Sequence, residues 1–80
     1  MASLNVITVR YFASLRERLG RGEDQVEVAG LSSVADVWSR VSAEPLPANT
    51  LIAINQEYAS PESAVRAGDE VAFFPPVTGG

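Results

Sequence analysis

The sequence predicts an α+β domain in which a mixed sheet is covered on one face by one main helix. Three observations carry this expectation. Several short segments are rich in β-branched and aromatic residues and alternate with a period of two. One stretch, marked by Val34, Val37, Trp38 and Val41, has a helical stripe long enough to cover a sheet. A chain of 80 residues, 46% of them hydrophobic, can build one core but not two domains joined by a linker.

The elements follow in chain order. Leu4 to Phe12 (LNVITVRYF) reads as a half-buried strand, with Ile7, Val9 and Tyr11 on one face and Thr8 and Arg10 on the other. From Ala13 the period changes. Phe12, Leu15 and Leu19 then fall on one side of a short helix, and Gly20 is placed to supply a left-handed C-terminal cap. Gly20 and Gly22 bracket a turn before a second strand, Gln25 to Val28. Ser33 followed three residues on by Asp36 matches a helix-opening capping pattern. The main helix is expected from Val34 to Ala43, stopped by Glu44-Pro45 because the residue before proline is pushed out of the helical region. Leu51 to Ile54 is a near-continuous apolar strand and hence interior, and Asn55-Gln56 turns it into the short strand Glu57-Tyr58-Ala59. Ser60-Pro61 is expected to start a single helical turn over Glu62 to Val65. Gly68-Asp69 marks a turn into the last strand, Glu70 to Phe74, with Val71 and Phe73 on one face and Ala72 and Phe74 on the other.

Composition narrows the chemistry. The chain has no Cys and no His, which removes disulfides, thiolate nucleophiles, imidazole bases and nearly every zinc or iron site. All six cationic residues are Arg, so Schiff-base and P-loop lysine chemistry are absent too. Ten acids bring the net charge to −4, a poor surface for nucleic acid or anionic membranes. No apolar run approaches the length of a membrane span and Met1-Ala2-Ser3 lacks a basic signal start, so a cytoplasmic protein is expected. A domain this small leaves little room for a deep cleft, which argues against a self-contained enzyme.

Chemistry is therefore sought at the chain end. Residues 1–74 read as the domain and residues 75–80, Pro75-Pro76-Val77-Thr78-Gly79-Gly80, as an extended, flexible C-terminal tail. The prolines stiffen a stem that could project roughly 20 Å. The glycines let the last peptide units thread a channel too narrow for a β-carbon. Gly80 presents a bare carboxylate, ionised at neutral pH and able to attack an activated phosphate such as the α-phosphorus of ATP. Alternation places Phe74 away from the helix and beside the stem, where it is either an interface anchor or a ring packed under a loop. The adjacent acids Glu23-Asp24 and Asp69-Glu70 read as turn residues rather than an acid/base pair. The Val34, Val37, Trp38 and Val41 stripe reads as core.

The ending Gly68-Asp69-Glu70-Val71-Ala72-Phe73-Phe74-Pro75-Pro76-Val77-Thr78-Gly79-Gly80 closely resembles the small, sulfur-carrying subunits of molybdopterin synthase. Val9 to Glu17 and Ala53-Ile54-Asn55-Gln56 are also similar to that family, and the resemblance spans nearly the whole chain. It implies a ubiquitin-like β-grasp fold. It implies further that a ubiquitin-activating-like adenylating enzyme uses ATP to adenylate Gly80, and that sulfur then replaces AMP to give a thiocarboxylate. The chain itself would bind no cofactor and no metal. Within a hetero-oligomer, the large synthase subunit would use that sulfur to build the dithiolene of molybdopterin from cyclic pyranopterin monophosphate. Phe74, Pro75, Pro76, Val77, Thr78 and Gly79 would then bind partners, and Arg16 would either add a charged contact or remain solvated. Two other readings stay open: the related sulfur carrier of thiamin thiazole synthesis, and a ubiquitin-like modifier that forms isopeptide bonds with lysines.

Overall fold

In the computed structural model, which describes residues 5–76, the chain runs β1 (Val6–Tyr11), α1 (Ala13–Leu19), β2 (Glu23–Glu27), α2 (Val34–Val41), β3 (Leu51–Ile54), β4 (Glu57–Ala59) and β5 (Glu70–Phe74). The strands form one sheet in the order β2-β1-β5-β3-β4. β1 and β5 pair in parallel, with Val9 opposite Val71 and Tyr11 opposite Phe73. The other pairings, β1 with β2, β3 with β5 and β3 with β4, are antiparallel. The mixed sheet and α+β class expected from the sequence are both present.

Alternation decides what lies under the helix. Ile7, Val9 and Tyr11 of β1, Ile52 of β3, and Val71 and Phe73 of β5 are buried on one face against Val34, Val37 and Trp38 of α2. Trp38 meets the edge of Phe73 with ring centroids 5.0 Å apart, and its indole N–H donates to the Glu44 carbonyl at 2.7 Å, so the polar atom of a large core residue is satisfied. Leu15 from α1 closes the same core.

The helix ends use local chemistry. At α2, Ser33 Oγ accepts from the Asp36 N–H while the Asp36 carboxylate accepts from the N–H groups of Ser32 and Ser33, the reciprocal box the sequence predicts. Those two amides, Ser32 first and Ser33 second, hold the Asp36 carboxyl below the usual range. At α1, Gly20 takes the left-handed cap conformation (φ 75°) and its N–H donates to the Arg16 carbonyl.

Several expectations shift. β2 begins at Glu23 rather than Gln25, because Glu23 and Asp24 pair with Arg10 and Val9 instead of forming a turn. α2 ends at Val41, with Ser42 already extended, before Pro45 acts. The helical turn expected over Glu62 to Val65 does not form. Instead a single tight turn closes at Ser60–Ser63, with the Ser63 N–H donating to the Ser60 carbonyl at 3.0 Å, and the chain then runs beside the start of α2: the carbonyls of Pro61 and Ser63 accept from Ala35 and Val34, and Val65 donates to Ser32. The segment thereby satisfies helix-opening amides that would otherwise lack partners. Phe12, placed by its spacing on the α1 stripe, lies outside the core. It is the extended residue before the helix (φ −126°, ψ 152°), so the alternation of β1 continues through it and sets its ring on the face opposite Tyr11, and the chain departs from the strand only at Ala13 (φ 53°).

Candidate functional site

The face of the sheet turned away from α2 divides into two halves. On the β2-β1 side it carries Glu23, Gln25, Thr8 and Arg10, with Arg10 bridging Glu70 at 2.8 Å and Glu23 at 3.8 Å. These are solvent-exposed pairs that contribute little to stability. On the β5-β3-β4 side the same face is apolar. Phe12, Ala13, Leu51, Ala53, Gln56, Tyr58, Phe74, Pro75 and Pro76 line a shallow groove of about 650 Å³.

Sheet geometry assembles this groove. Leu51 lies opposite Phe74, Ala53 opposite Ala72 on one side and Tyr58 on the other, so alternate residues of three strands share the face. The Phe12 N–H donates to the Phe73 carbonyl, extending the β1-β5 pairing to its end and bringing the Phe12 ring onto Phe74 with centroids 4.6 Å apart and planes within 6°. Small Ala53 leaves the floor open beneath the rings. Tyr58 is 84% and Phe12 38% exposed, the only large hydrophobic residues exposed among those described. The concavity is open, apolar and aromatic, the composition in which interface anchors are enriched.

Phe74 is where alternation placed it, opposite Val71 and Phe73, and it is partly buried by Phe12. Pro75 and Pro76 continue from it along the groove wall. Val77, Thr78, Gly79 and Gly80 lie outside the described residues. Arg16 does not line the groove. It sits on the exposed side of α1, its guanidinium stem packed over Gly22, where a β-carbon would come within 3.0 Å of Nε. Phe12 and Tyr58 are groove residues that sequence reasoning missed. The signal for Tyr58 was its position in a three-residue strand after a tight turn, where alternation sets it on the Phe74 face.

Behind the groove, on the core face, Tyr11 stacks on Phe73 with centroids 6.3 Å apart. Its hydroxyl donates to Asp24 Oδ2 at 2.8 Å, and Arg21 Nε donates to the same carboxylate. Arg21 also donates to the carbonyls of Leu19 and Val41, tying the C-terminal ends of α1 and α2 together. Burial, and then the Asp24 carboxylate, push the Tyr11 hydroxyl pKa well above its ordinary value. Among the described residues no cluster of His, Cys, Asp or Glu could hold a metal ion. No helix among them is long and apolar enough to cross a membrane.

A five-stranded mixed sheet, one main helix on its inner face and a proline-led tail leaving its last strand define a β-grasp domain of the ubiquitin-like kind. A model of the ThiS family matches residues 9–80, and the chain belongs to that family. The molybdopterin synthase sulfur carrier subunit of Haemophilus influenzae is 39% identical to it, covering 94% of this chain and 100% of that protein. The subunit of the same name from Escherichia coli is 36% identical, covering 94% and 100%. Among solved structures, the small archaeal modifier protein 1 of H. volcanii superimposes with a TM-score of 0.76 at 28% identity, covering 90% of this chain and 98% of that one. The resemblance read from the sequence therefore stands, as does the β-grasp fold it implied.

Proposed function

We propose that this chain is a sulfur carrier of molybdenum cofactor synthesis, the small subunit of a cytoplasmic molybdopterin synthase. The observation that carries the proposal is the continuity of groove and tail: β5 runs through Phe74 into Pro75 and Pro76, which wall the docking surface and lead directly to residues 77–80. A partner seated on the aromatic groove meets Pro75 and Pro76, the residues from which the tail departs. The relatives of nearly equal length that bear the sulfur-carrier name support the same reading.

The chemistry is assigned to Gly80. One oxygen of its carboxylate attacks the α-phosphorus of ATP on a ubiquitin-activating-like enzyme, and pyrophosphate leaves. The acyl adenylate now has a good leaving group, which a free carboxylate lacks. A sulfur nucleophile attacks the carbonyl carbon, AMP departs, and the chain carries a thiocarboxylate. The large synthase subunit then transfers that sulfur to cyclic pyranopterin monophosphate. The carrier's own residues dock and orient: Phe74 with Phe12 and Tyr58 anchors the partner, Pro75 and Pro76 aim the tail, and Val77, Thr78 and Gly79 thread the partner's channel. Arg16, on a separate face, adds at most a peripheral charged contact.

The test is intact-mass measurement after incubation with ATP, an activating enzyme and a sulfur source. The expected product gains the mass of one oxygen-to-sulfur exchange, and Gly79→Val blocks that gain while leaving the thermal melt unchanged. Normal loading of the valine variant would remove the steric role assigned to the diglycine. A second reading, a protein modifier, draws on the likeness to the archaeal modifier protein. A ladder of lysine conjugates on an immunoblot of cells would favour it, and loss of molybdoenzyme activity alone on deletion would favour the carrier. Loss confined to thiamin synthesis would instead point to the thiazole pathway.

A further inference from the structure

Four non-glycine residues among those described have a left-handed backbone: Ala13 (φ 53°), Asn49 (65°), Asn55 (51°) and Gln56 (71°). Asparagine tolerates this region. The other two residues, Ala13 at the start of α1 and Gln56 in the β3-β4 loop, are far apart in sequence, yet both line the groove beside Phe74. Strain of this kind persists where a side chain is kept for a contact rather than for the fold.

Gln56 is the clearer case. It is the second residue of the two-residue loop joining β3 to β4, since Ile54 pairs with Glu57 and both intervening residues have positive φ. Such a loop strongly prefers glycine at this position. Its neighbour Asn55 pins the loop to β5, because its carboxamide donates to Asp69 at 2.9 Å and accepts from the Glu70 N–H at 3.0 Å. The Gln56 carboxamide takes no part in that pinning. It stands exposed beside Tyr58, at the rim of a groove otherwise walled by rings, prolines and aliphatic groups.

We infer that Gln56 is a specificity-determining residue of the groove, held in an unfavourable turn so that its carboxamide hydrogen-bonds the backbone of the protein that receives the C-terminal segment. The path of the chain fixes this occupant. Gln56, Pro75 and Pro76 line one groove and Pro76 is joined to residues 77–80, so a protein that takes up that segment from the groove meets Gln56. A carboxamide offers a donor and an acceptor together, matching the N–H and C=O of an extended peptide edge. It also disfavours partners with a wholly apolar edge, which would bury it unpaired. The inference rests on the docking role proposed above for the groove.

The experiment titrates the large molybdopterin synthase subunit into the full-length chain and the variants Gln56→Gly, Gln56→Ala and Phe74→Ala, with a thermal melt of each. Glycine removes both the strain and the amide, whereas alanine removes the amide alone. Both Gln56 variants are expected to bind roughly three- to tenfold more weakly, the loss of one hydrogen bond. Only Gln56→Gly should melt higher than the parent. If either Gln56 variant binds as tightly as the parent while Phe74→Ala binds weakly, the role of Gln56 is overturned and the groove stands. If Phe74→Ala also binds normally, the docking role of the groove falls with it.

Discussion

Two stacked aromatic pairs sit back to back across the parallel β1-β5 ladder. Tyr11 on Phe73 faces the helix, and Phe12 on Phe74 faces outward. The residues are sequence neighbours and chemically alike, yet their surroundings differ in kind. The inner pair is fully enclosed, edge-packed by Trp38 and hydrogen-bonded through Tyr11 to Asp24, with Arg21 closing over the Tyr11 ring at 5.6 Å. The outer pair shares an open groove with Tyr58, Gln56 and two prolines. One strand pair thus builds a core with one face and an open aromatic groove with the other, because successive side chains of a strand point to opposite sides.

The comparison breaks most sharply on Phe73→Ala. Truncating a fully buried aromatic in a close-packed core typically costs about 3 to 5 kcal/mol. That is a large part of the roughly 4 to 12 kcal/mol expected for a domain this size. Chemical denaturation should show a much lower midpoint or no cooperative transition. Phe74→Ala should behave oppositely: about 1 kcal/mol or less of folding stability lost, but roughly thirtyfold weaker binding of the large subunit, as for an interface anchor. A collapse of the fold with unchanged affinity would move Phe74 into the core and erase the distinction between the faces.

Tyr11→Phe sharpens the inner half. It keeps the ring and deletes the hydroxyl that donates to Asp24, for an expected loss of about 1 to 2 kcal/mol at neutral pH. The pH dependence follows from the raised pKa. The unfolded tyrosine ionises near pH 10, whereas the folded one resists ionisation, so its contribution is fully present below about pH 10 and is lost as pH rises above that value. Denaturation midpoints taken across the alkaline range should fall more steeply for the parent than for the phenylalanine variant. Parallel curves would show that the Tyr11 hydroxyl is not held in its neutral form.

Much of this division was legible in the sequence. Alternation along LNVITVRY and EVAFF separated Val9, Tyr11, Val71 and Phe73 from Arg10, Ala72 and Phe74, and the Ser33 to Asp36 spacing gave the helix start. What escaped is governed by tertiary context. Phe12 has helical spacing with Leu15 and Leu19, but it is still extended and keeps the alternation of β1, the change of period coming one residue later at Ala13, where the sheet pairing with Phe73 ends. The Ser60-Pro61 signal yields a tight turn closed by the Ser63 N–H on the Ser60 carbonyl, but no helix follows over Glu62 to Val65, because the Pro61 and Ser63 carbonyls partner the α2 amides, a need that arises only after the segments meet. Tyr58 was legible in principle, since the two-residue turn at Asn55-Gln56 sets it opposite Ala53 and hence on the Phe74 face, but the groove itself arises only when its neighbours across the sheet come together.

The smallest effect tests the backbone that aims the outer pair. Ala13 follows directly after the extended Phe12, and its left-handed conformation is where the chain departs from the strand toward the helical stripe of Leu15. An L-residue in this region carries a conformational cost of about 1 to 2 kcal/mol that glycine escapes. Glycine also widens the unfolded ensemble, which returns roughly 0.4 to 1 kcal/mol of that gain. Ala13→Gly should therefore stabilise the fold by only about 0.5 kcal/mol, a rise of a few degrees in Tm at most. The same change loosens the hinge that holds Phe12 against Phe74, so partner binding should weaken modestly through faster dissociation. Melts paired with dissociation rates read both effects. A variant that melts lower than the parent would show that the Ala13 methyl contributes more by packing than its backbone costs. The groove would then be held by ordinary contacts at that end rather than by a strained turn.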